Sequence, residues 1–313
     1  MTCPISVIIP TLNRPLSLKR TIDHICACDT RPAELIVIDQ SQDPVIAEQN
    51  KEIVLNCNEE IHGIYLFQDT PSSTEARNSG MKRASNNIIV FSDDDVDVKP
   101  NTFLNITEIM KDLEIAMIAG IDSNTPLSEG SKLGYIFGTK SYSKRYMGHV
   151  TSSMLGRFPI SVTESVDTEW AMGFFFVIRK ELQERWDLWW DEQLISYAYA
   201  EDLDFSYTYS KNARKEGMKC IFHPDIIVAH QASKEYRVPT RKSSFMYIIN
   251  REYLSYKHRS PFSQLATRWT NFWTIVSSIR KPQVMKNLIV GQIRADMHRS
   301  ELRKGILSPE MFD

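Results

Sequence analysis

The stretch Ile88-Ile89-Val90-Phe91-Ser92-Asp93-Asp94-Asp95 constrains the fold most, because a continuous apolar run breaks there into three adjacent carboxylates. Ile88 to Phe91 are β-branched or aromatic with no polar alternation, the pattern of a central parallel strand buried on both faces. The triplet falls where that strand ends. Three like charges repel one another and resist desolvation, so at the mouth of a core they need a compensating cation. A divalent metal such as Mg²⁺ or Mn²⁺ with a bound phosphate supplies one. A solvated acidic turn is the alternative, and the triplet alone does not decide.

Two further apolar runs have the same character. Ile5 to Pro10 reads as a buried strand halted by proline, followed by the polar loop Thr11-Leu12-Asn13-Arg14-Pro15. Leu18, Ile22, Ile25 and Cys26 recur at helical spacing, and Glu34 to Ile38 is the next strand, ending at Asp39-Gln40-Ser41. Strand, helix and strand make a right-handed βαβ unit whose carboxyl edge carries both polar loops. The first loop lacks GxGxxG, so a phosphate there must be held by side chains and metal, with Arg14 a candidate. Asp39 stands where acidic groups of nucleotide folds meet a ribose or base; the plainer reading of either residue is a cap or turn.

Ile64 to Phe67 is a third strand, and Ser73 to Ala84 a helix that sets Arg77 near the same edge, where a guanidinium pairs with phosphate or balances carboxylates. A helix from Pro100 to Met110 and a strand from Ala116 to Gly120 follow. Residues 122–165 lack periodicity and are longer than ordinary connections, which marks a functional loop region or undetected strands. Val166 to Arg179 is strand-like, interrupted at Gly173 where a ligand, a backbone or only a bulge fits. Trp186, Trp189 and Trp190 suit either a core or stacking on a sugar ring.

Glu201 and Asp202 open a helix running to about Lys215, where the dipole favours anions; a general base is the functional reading of that pair. Strands Lys219 to Phe222 and Ile226 to His230 follow, and an imidazole at His230 can complete a carboxylate metal site.

Charge is unevenly divided. From Gln231 onward there are 15 Lys+Arg against 6 Asp+Glu, leaving 22 against 33 for residues 1–230. The tail reads as helices with an apolar face at Met246, Ile249, Tyr253 and Tyr256 beside Arg251, Lys257, His258 and Arg259. Such basic amphipathic helices rest on a bilayer interface, the protein body or a second subunit. Five cysteines without CxxC spacing predict neither a disulfide framework nor a zinc site, but a reducing compartment. No signal peptide and no apolar run near the ~18 residues of a membrane span are present, so a chance sequon at Asn105 is expected.

In order, VIIPTLNRP, LIVIDQS, ARNSGMKRASNNIIVFSDDD, DTEWAMGFFFVIRK and AEDLDF resemble the family 2 glycosyltransferases from about Ile5 to His230. The resemblance implies a GT-A fold of the α/β class, with a Rossmann-like, mostly parallel mixed sheet flanked by helices. It places a transferase domain at 1–235 and a basic helical extension at 236–313. By the family's pattern, Thr11, Asn13, Arg14 and Asp39 hold the nucleoside, Arg77 lies near the ribose or diphosphate, and Asp93 and Asp94 contact ribose and phosphate. Asp95 and His230 ligate Mg²⁺ or Mn²⁺, and Asp202 is the base, with Glu201 the other candidate. The second strand departs from the family by ending Asp-Gln-Ser instead of Asp-Asp-Gly-Ser.

The implied reaction is inverting transfer from a nucleoside-diphosphate sugar to a hydroxyl of a glycan or lipid-linked acceptor, as in polysaccharide and cell-envelope synthesis. A cytoplasmic enzyme touching the inner membrane face through its tail is expected, with oligomers allowed and no nucleic-acid partner. A nucleotidyltransferase uses similar carboxylates and Mg²⁺ but releases pyrophosphate, and a silent sugar-nucleotide or glycan-binding module is a third reading.

Overall fold

Four parallel strands with helices returning between them build the N-terminal half, as the apolar runs predict. The computed structural model describes residues 1–124, 132–138, 147–195, 199–233, 235, 239–258 and 262–312. In chain order its elements begin with β1 (Thr2–Thr11), α1 (Pro15–Cys26), β2 (Arg31–Asp39), α2 (Pro44–Leu55), β3 (His62–Phe67), α3 (Ser73–Arg83) and β4 (Ile88–Ser92). There follow β5 (Val96–Asp97), α4 (Thr102–Ile109), β6 (Ile115–Asp122), α5 (Lys132–Ile136), β7 (Val166–Asp167), β8 (Phe175–Arg179) and α6 (Lys180–Arg185). The last are α7 (Glu201–Lys215), β9 (Lys219–His230), α8 (Thr240–Lys257), α9 (Ser263–Ser277), α10 (Pro282–Met297) and α11 (Arg299–Arg303).

The sheet order is β3-β2-β1-β4-β8-β6-β9-β5, with β7 paired to β9. β4 is parallel to β1 but antiparallel to β8, so only one side of the central strand has the predicted direction. Its continuous apolar composition reports burial on both faces, which either pairing provides. The chain does not stop at Pro10: β1 runs to Thr11, because Pro10 pairs only with Ile38 of β2 and the ladder to β4 has already ended at Ile8 and Phe91. No ladder bond is lost there for want of a proline N–H.

The run Val166 to Arg179 is two strands rather than one. Thr168 Oγ1 donates to the Trp170 carbonyl at 2.6 Å and accepts from the Trp170 N–H at 3.2 Å, a side-chain turn that diverts the chain. Conversely, the two segments expected between Lys219 and His230 are the single strand β9, irregular around His223 to Asp225. Helix α2 carries little periodic signal, as only Asn50 and Val54 are buried; Asp43 caps it by accepting from the Val45 N–H. Of residues 122–165, 125–131 and 139–146 lie outside the described residues, while α5 and a bridge between Val150 and Gly156 are formed.

The C-terminal helices depart most from expectation. α8 buries residues on every side, including Arg251, which is fully buried and donates to the Ser153 carbonyl at 2.8 Å. Met246, Ile249 and Tyr253 are core side chains, not a face for a bilayer, and Arg259 lies outside the described residues. No described helix is long and apolar enough to cross a membrane.

Candidate active site

A cleft of about 390 Å³ opens at the carboxyl ends of β1 and β4, between Thr11, Arg14 and Gln40 on one side and Gly173, Glu201 and Asp202 on the other. It exists because β4 ends where the apolar run ends. The Asp93 N–H still pairs with the Phe174 carbonyl at 2.9 Å, and the next two carboxylates turn apart.

The three aspartates have three environments. Asp94 lines the cleft beside the first loop: its Oδ2 accepts from Thr11 Oγ1 at 2.7 Å and its Oδ1 from Arg14 Nη1 at 3.0 Å. Its carbonyl accepts from Thr21 Oγ1 at 2.9 Å, tying the turn to α1. Burial pushes its carboxyl up to about 7 against the pull of Arg14 and Thr11. Asp93 accepts from Arg77 Nη2 at 3.1 Å, and burial raises its pKa in spite of that guanidinium. Asp95 accepts the Ser233 N–H at 2.7 Å and lies 3.2 Å from His230 Nε2. Burial there is outweighed by the imidazole and the Ser233 N–H, so Asp95 is held below the usual carboxylate range. His230 is raised in turn, its burial outweighed by Asp95 and Asp93. Phe174 stacks on the imidazole at 5.1 Å and fixes its plane.

Asp93, Asp95 and His230 each present one ligand atom, all within 4.8 Å of one another. Asp95 Oδ1 is buried and receives no hydrogen bond, although His230 Nε2 is close by. Oxygen ligands with one imidazole, and an acceptor left unsatisfied among them, fit a hard or borderline divalent cation. The expectation had grouped Asp93 with Asp94 and left only Asp95 and His230 as ligands. Geometry groups Asp93 with Asp95 and turns Asp94 toward the Thr11–Arg14 loop.

Arg77 joins the two acidic groups of the chain. It is 4 % exposed, lies 4.6 Å above the Trp190 ring, and donates to Asp93 at 3.1 Å and to Glu201 Oε1 at 3.3 Å. Trp190 itself is buried and stacked on Phe205 at 4.5 Å, and Trp186 packs edge-on against Tyr209. Trp190 is thereby closed to a sugar, and Trp186 is not among the residues that line the cleft. Trp189 is partly exposed beneath Lys82 Nζ, and it is Trp170 that lines the cleft.

Glu201 and Asp202 begin α7 after Ala200, whose φ of 69° turns the chain into the helix. Asp202 Oδ2 accepts the Gly173 N–H at 2.8 Å and Oδ1 accepts the Leu203 N–H at 2.7 Å. Burial raises its pKa against those two donors. Burial and the Asp202 charge push Glu201 to about 8, Arg77 opposing. The close approach signalled by Gly173 is that of Asp202: a Cβ on Gly173 would sit 3.0 Å from Asp202 Cβ.

Asp39 is correctly placed at a strand end but points away from the cleft. It is fully buried; Oδ1 accepts the Ser41 N–H at 2.9 Å, and Oδ2 accepts from Asn50 at 3.1 Å and Tyr65 at 2.9 Å. Its carboxylate holds the loop through these three bonds. Asn13, at φ 56°, contributes its N–H to Ser41 Oγ at 2.8 Å and likewise shapes the loop. The residue that lines the cleft here is Gln40, whose Oε1 accepts the Ser72 N–H at 2.5 Å. The departure from Asp-Asp-Gly-Ser was its signal in the sequence. Phe174 and Trp170 gave none, being apolar residues in an apolar run.

A mixed sheet with a carboxylate–histidine cluster at its carboxyl edge is the GT-A architecture of glycosyltransferases. The family Glycosyl transferase family 2 matches residues 6–186, and the chain belongs to it. Glycosyltransferase GlyA of Streptococcus pneumoniae serotype 4 is 26% identical over 147 residues, covering 45% of this chain and 20% of that protein. The chain thus spans only a fifth of the length of that relative. Among solved structures, the mannosyltransferase PcManGT from Pyrobaculum calidifontis, in complex with GDP-Man and Mn²⁺, has a TM-score of 0.55 at 14% identity, covering 94% of this chain and 75% of its own. GalNAc-T7 with UDP, GalNAc and Mn²⁺ has a TM-score of 0.55 at 19% identity, covering 85% and 54%. The likeness to these solved structures shows the GT-A fold.

Proposed function

We propose that the protein transfers a sugar from a nucleoside diphosphate to an acceptor hydroxyl with inversion, and that it depends on a divalent metal. The observation that carries this is a cleft lined by Asp93, His230, Glu201 and Asp202, in which Arg77 bridges Asp93 and Glu201 and Asp95 completes a ligand cluster with Asp93 and His230. Mg²⁺ or Mn²⁺ held by Asp93, Asp95 and His230 supplies charge for the departing diphosphate. The Mn²⁺ complexes of PcManGT and GalNAc-T7 support that reading. Arg77 adds a fixed positive charge beside the same position.

Asp202 is the base. Two backbone N–H groups hold and orient its carboxylate and oppose the upward push of burial, whereas burial and the Asp202 charge push Glu201 up to about 8. Asp202 takes the proton of the acceptor hydroxyl as that oxygen attacks the anomeric carbon opposite the leaving group. The acceptor lies against Phe158, Trp170 and Tyr199, whose rings suit a sugar face and exclude water. At the nucleoside end Gln40 meets the base, within the loop that Asp39, Asn13 and Asp94 hold in shape.

A panel of nucleoside-diphosphate sugars with Mn²⁺ or Mg²⁺, followed by nucleotide release, tests the reaction. Nucleoside diphosphate is the expected product; pyrophosphate would identify a nucleotidyltransferase instead. Asp202→Asn should lower transfer by ~10²-fold or more while calorimetry shows donor binding retained. Normal turnover in that variant would remove Asp202 from the mechanism.

A further inference from the structure

One surface of the C-terminal helices is apolar without being core. On α9, Leu265, Trp269, Phe272, Val276 and Ile279 follow at intervals of four and three along one stripe that continues just past the helix end. Leu265 is 68% exposed, Phe272 54% and Ile279 68%, values that burial in the folded chain does not explain. The stripe is continuous with α5: Trp269 Nε1 donates to the Ile136 carbonyl at 3.0 Å, and Phe137 stacks on Trp273 at 3.9 Å. Leu133 and Ile136 of α5 are themselves 61% and 64% exposed. An apolar patch of this extent marks an interaction surface.

Charge selects the occupant. From Tyr253 to Ala295, 43 residues, the chain contains no Asp or Glu but seven Lys and Arg. Arg280 and Lys281 are exposed directly beyond Ile279, at the end of the stripe. Lys257 is already paired with Asp191 and Asp204, and Arg268 with Asp296; a second copy docking its own patch would offer Arg280 and Lys281 no acidic residue from this stretch, so the opposite-charge flanks of a helical seam are missing there. Leu, Trp, Phe and Ile flanked by Arg and Lys are instead the composition of a helix lying in a headgroup layer over anionic lipid. We propose that the α9 face, with α5 beside it, seats the protein on an anionic lipid surface. α8, whose sequence also suited that role, is buried and takes no part.

The proposal stands apart from the sugar-transfer reading, because its test reads binding and not turnover. The full chain is floated with vesicles of phosphatidylcholine alone or with added phosphatidylglycerol. The expected result is recovery with the anionic vesicles and loss of most binding at high salt. Leu265→Glu combined with Phe272→Glu should weaken partition by about tenfold or more. Arg280→Glu with Lys281→Glu should abolish the preference for phosphatidylglycerol. All four side chains are exposed and outside the cleft, so thermal melts and donor-sugar hydrolysis should match the parent chain. Absence of binding to anionic vesicles, or unchanged binding by the apolar pair variant, overturns the proposal. So does a dimer in light scattering that the Leu265→Glu, Phe272→Glu variant dissolves, since the patch would then belong to a second copy.

Discussion

Arg77 shows how little freedom single residues have in this cleft. Its guanidinium is shared by Asp93 and Glu201 and lies flat on Trp190, so it needs both a planar fork and a packed face. Lysine keeps the charge but cannot reach two carboxylates or stack. Arg77→Lys is therefore expected to lower kcat/KM by about 10²-fold, measured by nucleotide release, and to lower the melting temperature, because an unpaired buried carboxylate is costly. Gly173 is constrained by space. In Gly173→Ala the new Cβ, 3.0 Å from Asp202 Cβ, displaces the carboxylate that we propose as the base. A fall of roughly tenfold in kcat with donor KM unchanged is expected from steady-state kinetics, since a displaced base affects the chemical step and not donor binding. Loss of donor affinity in this variant would place Asp202 on the donor side.

At the scale of elements, α7 is held from behind. Asp204, two residues beyond the base, accepts from Lys257 Nζ at 2.7 Å and lies 2.9 Å from His258 Nε2, both at the C-terminal end of α8. Asn250 of α8 also donates to the Tyr199 carbonyl at 3.0 Å, just before the turn at Ala200. Burial would raise Asp204, but His258 and Lys257 overcome it and hold the carboxyl below the ordinary aspartate range. A depressed folded pKa contributes stability that is present above the unfolded value of ~3.9 and lost as pH falls through the folded one. Urea titrations of the parent chain should thus lose stability below about pH 4. Asp204→Asn should be less stable at pH 7 and show a shallower acid limb. An unchanged acid limb would assign that loss to other carboxylates.

Across the whole molecule, the cleft draws its walls from β1, α3, β6, α7 and β9 and from the turn after β4, so a ligand bound there would be coupled to folding. A donor and metal that bind only the folded chain should stabilise it by about 2.7 kcal/mol at a hundred times Kd. Thermal melts with Mn²⁺ and a matching nucleoside diphosphate together should rise by several degrees. EDTA or Asp95→Asn should cancel the shift. A nucleotide-induced rise that persists in EDTA would sever binding from the metal. Hydrogen bonds from Arg251, Asn250, Lys257 and Ser263 to residues 152–204 attach the C-terminal helices to these same walls. We therefore propose that residues 236–313 complete the transferase domain instead of forming a separable extension.

Much of this was legible in the chain. β1, β2, β3 and β4 announce themselves as apolar runs, α1, α3 and α7 as spacing and dipole-compatible charge, and the Asp93–Asp95 triplet as a charge concentration that needs a partner. Local pattern determined these, since a strand buried on both faces and a helix with one apolar stripe each have a sequence period. The direction of β8, the splitting of Val166 to Arg179, and the burial of α8 were not legible, because they depend on which neighbour a segment meets. The same holds for the site. The sequence placed Asp39, Asp93, Asp94, Asp95, Glu201, Asp202 and His230 at strand and helix ends, but not the direction in which each carboxylate points. Tertiary packing alone turned Asp39 onto its loop, tied Asp94 to Thr11 and Arg14 at the cleft wall, brought Arg77 between clusters more than a hundred residues apart in the chain, and left the apolar stripe of α9 outside the core. A hydrogen bond or an ion pair is satisfied by distance in space, and only the folded chain sets that distance.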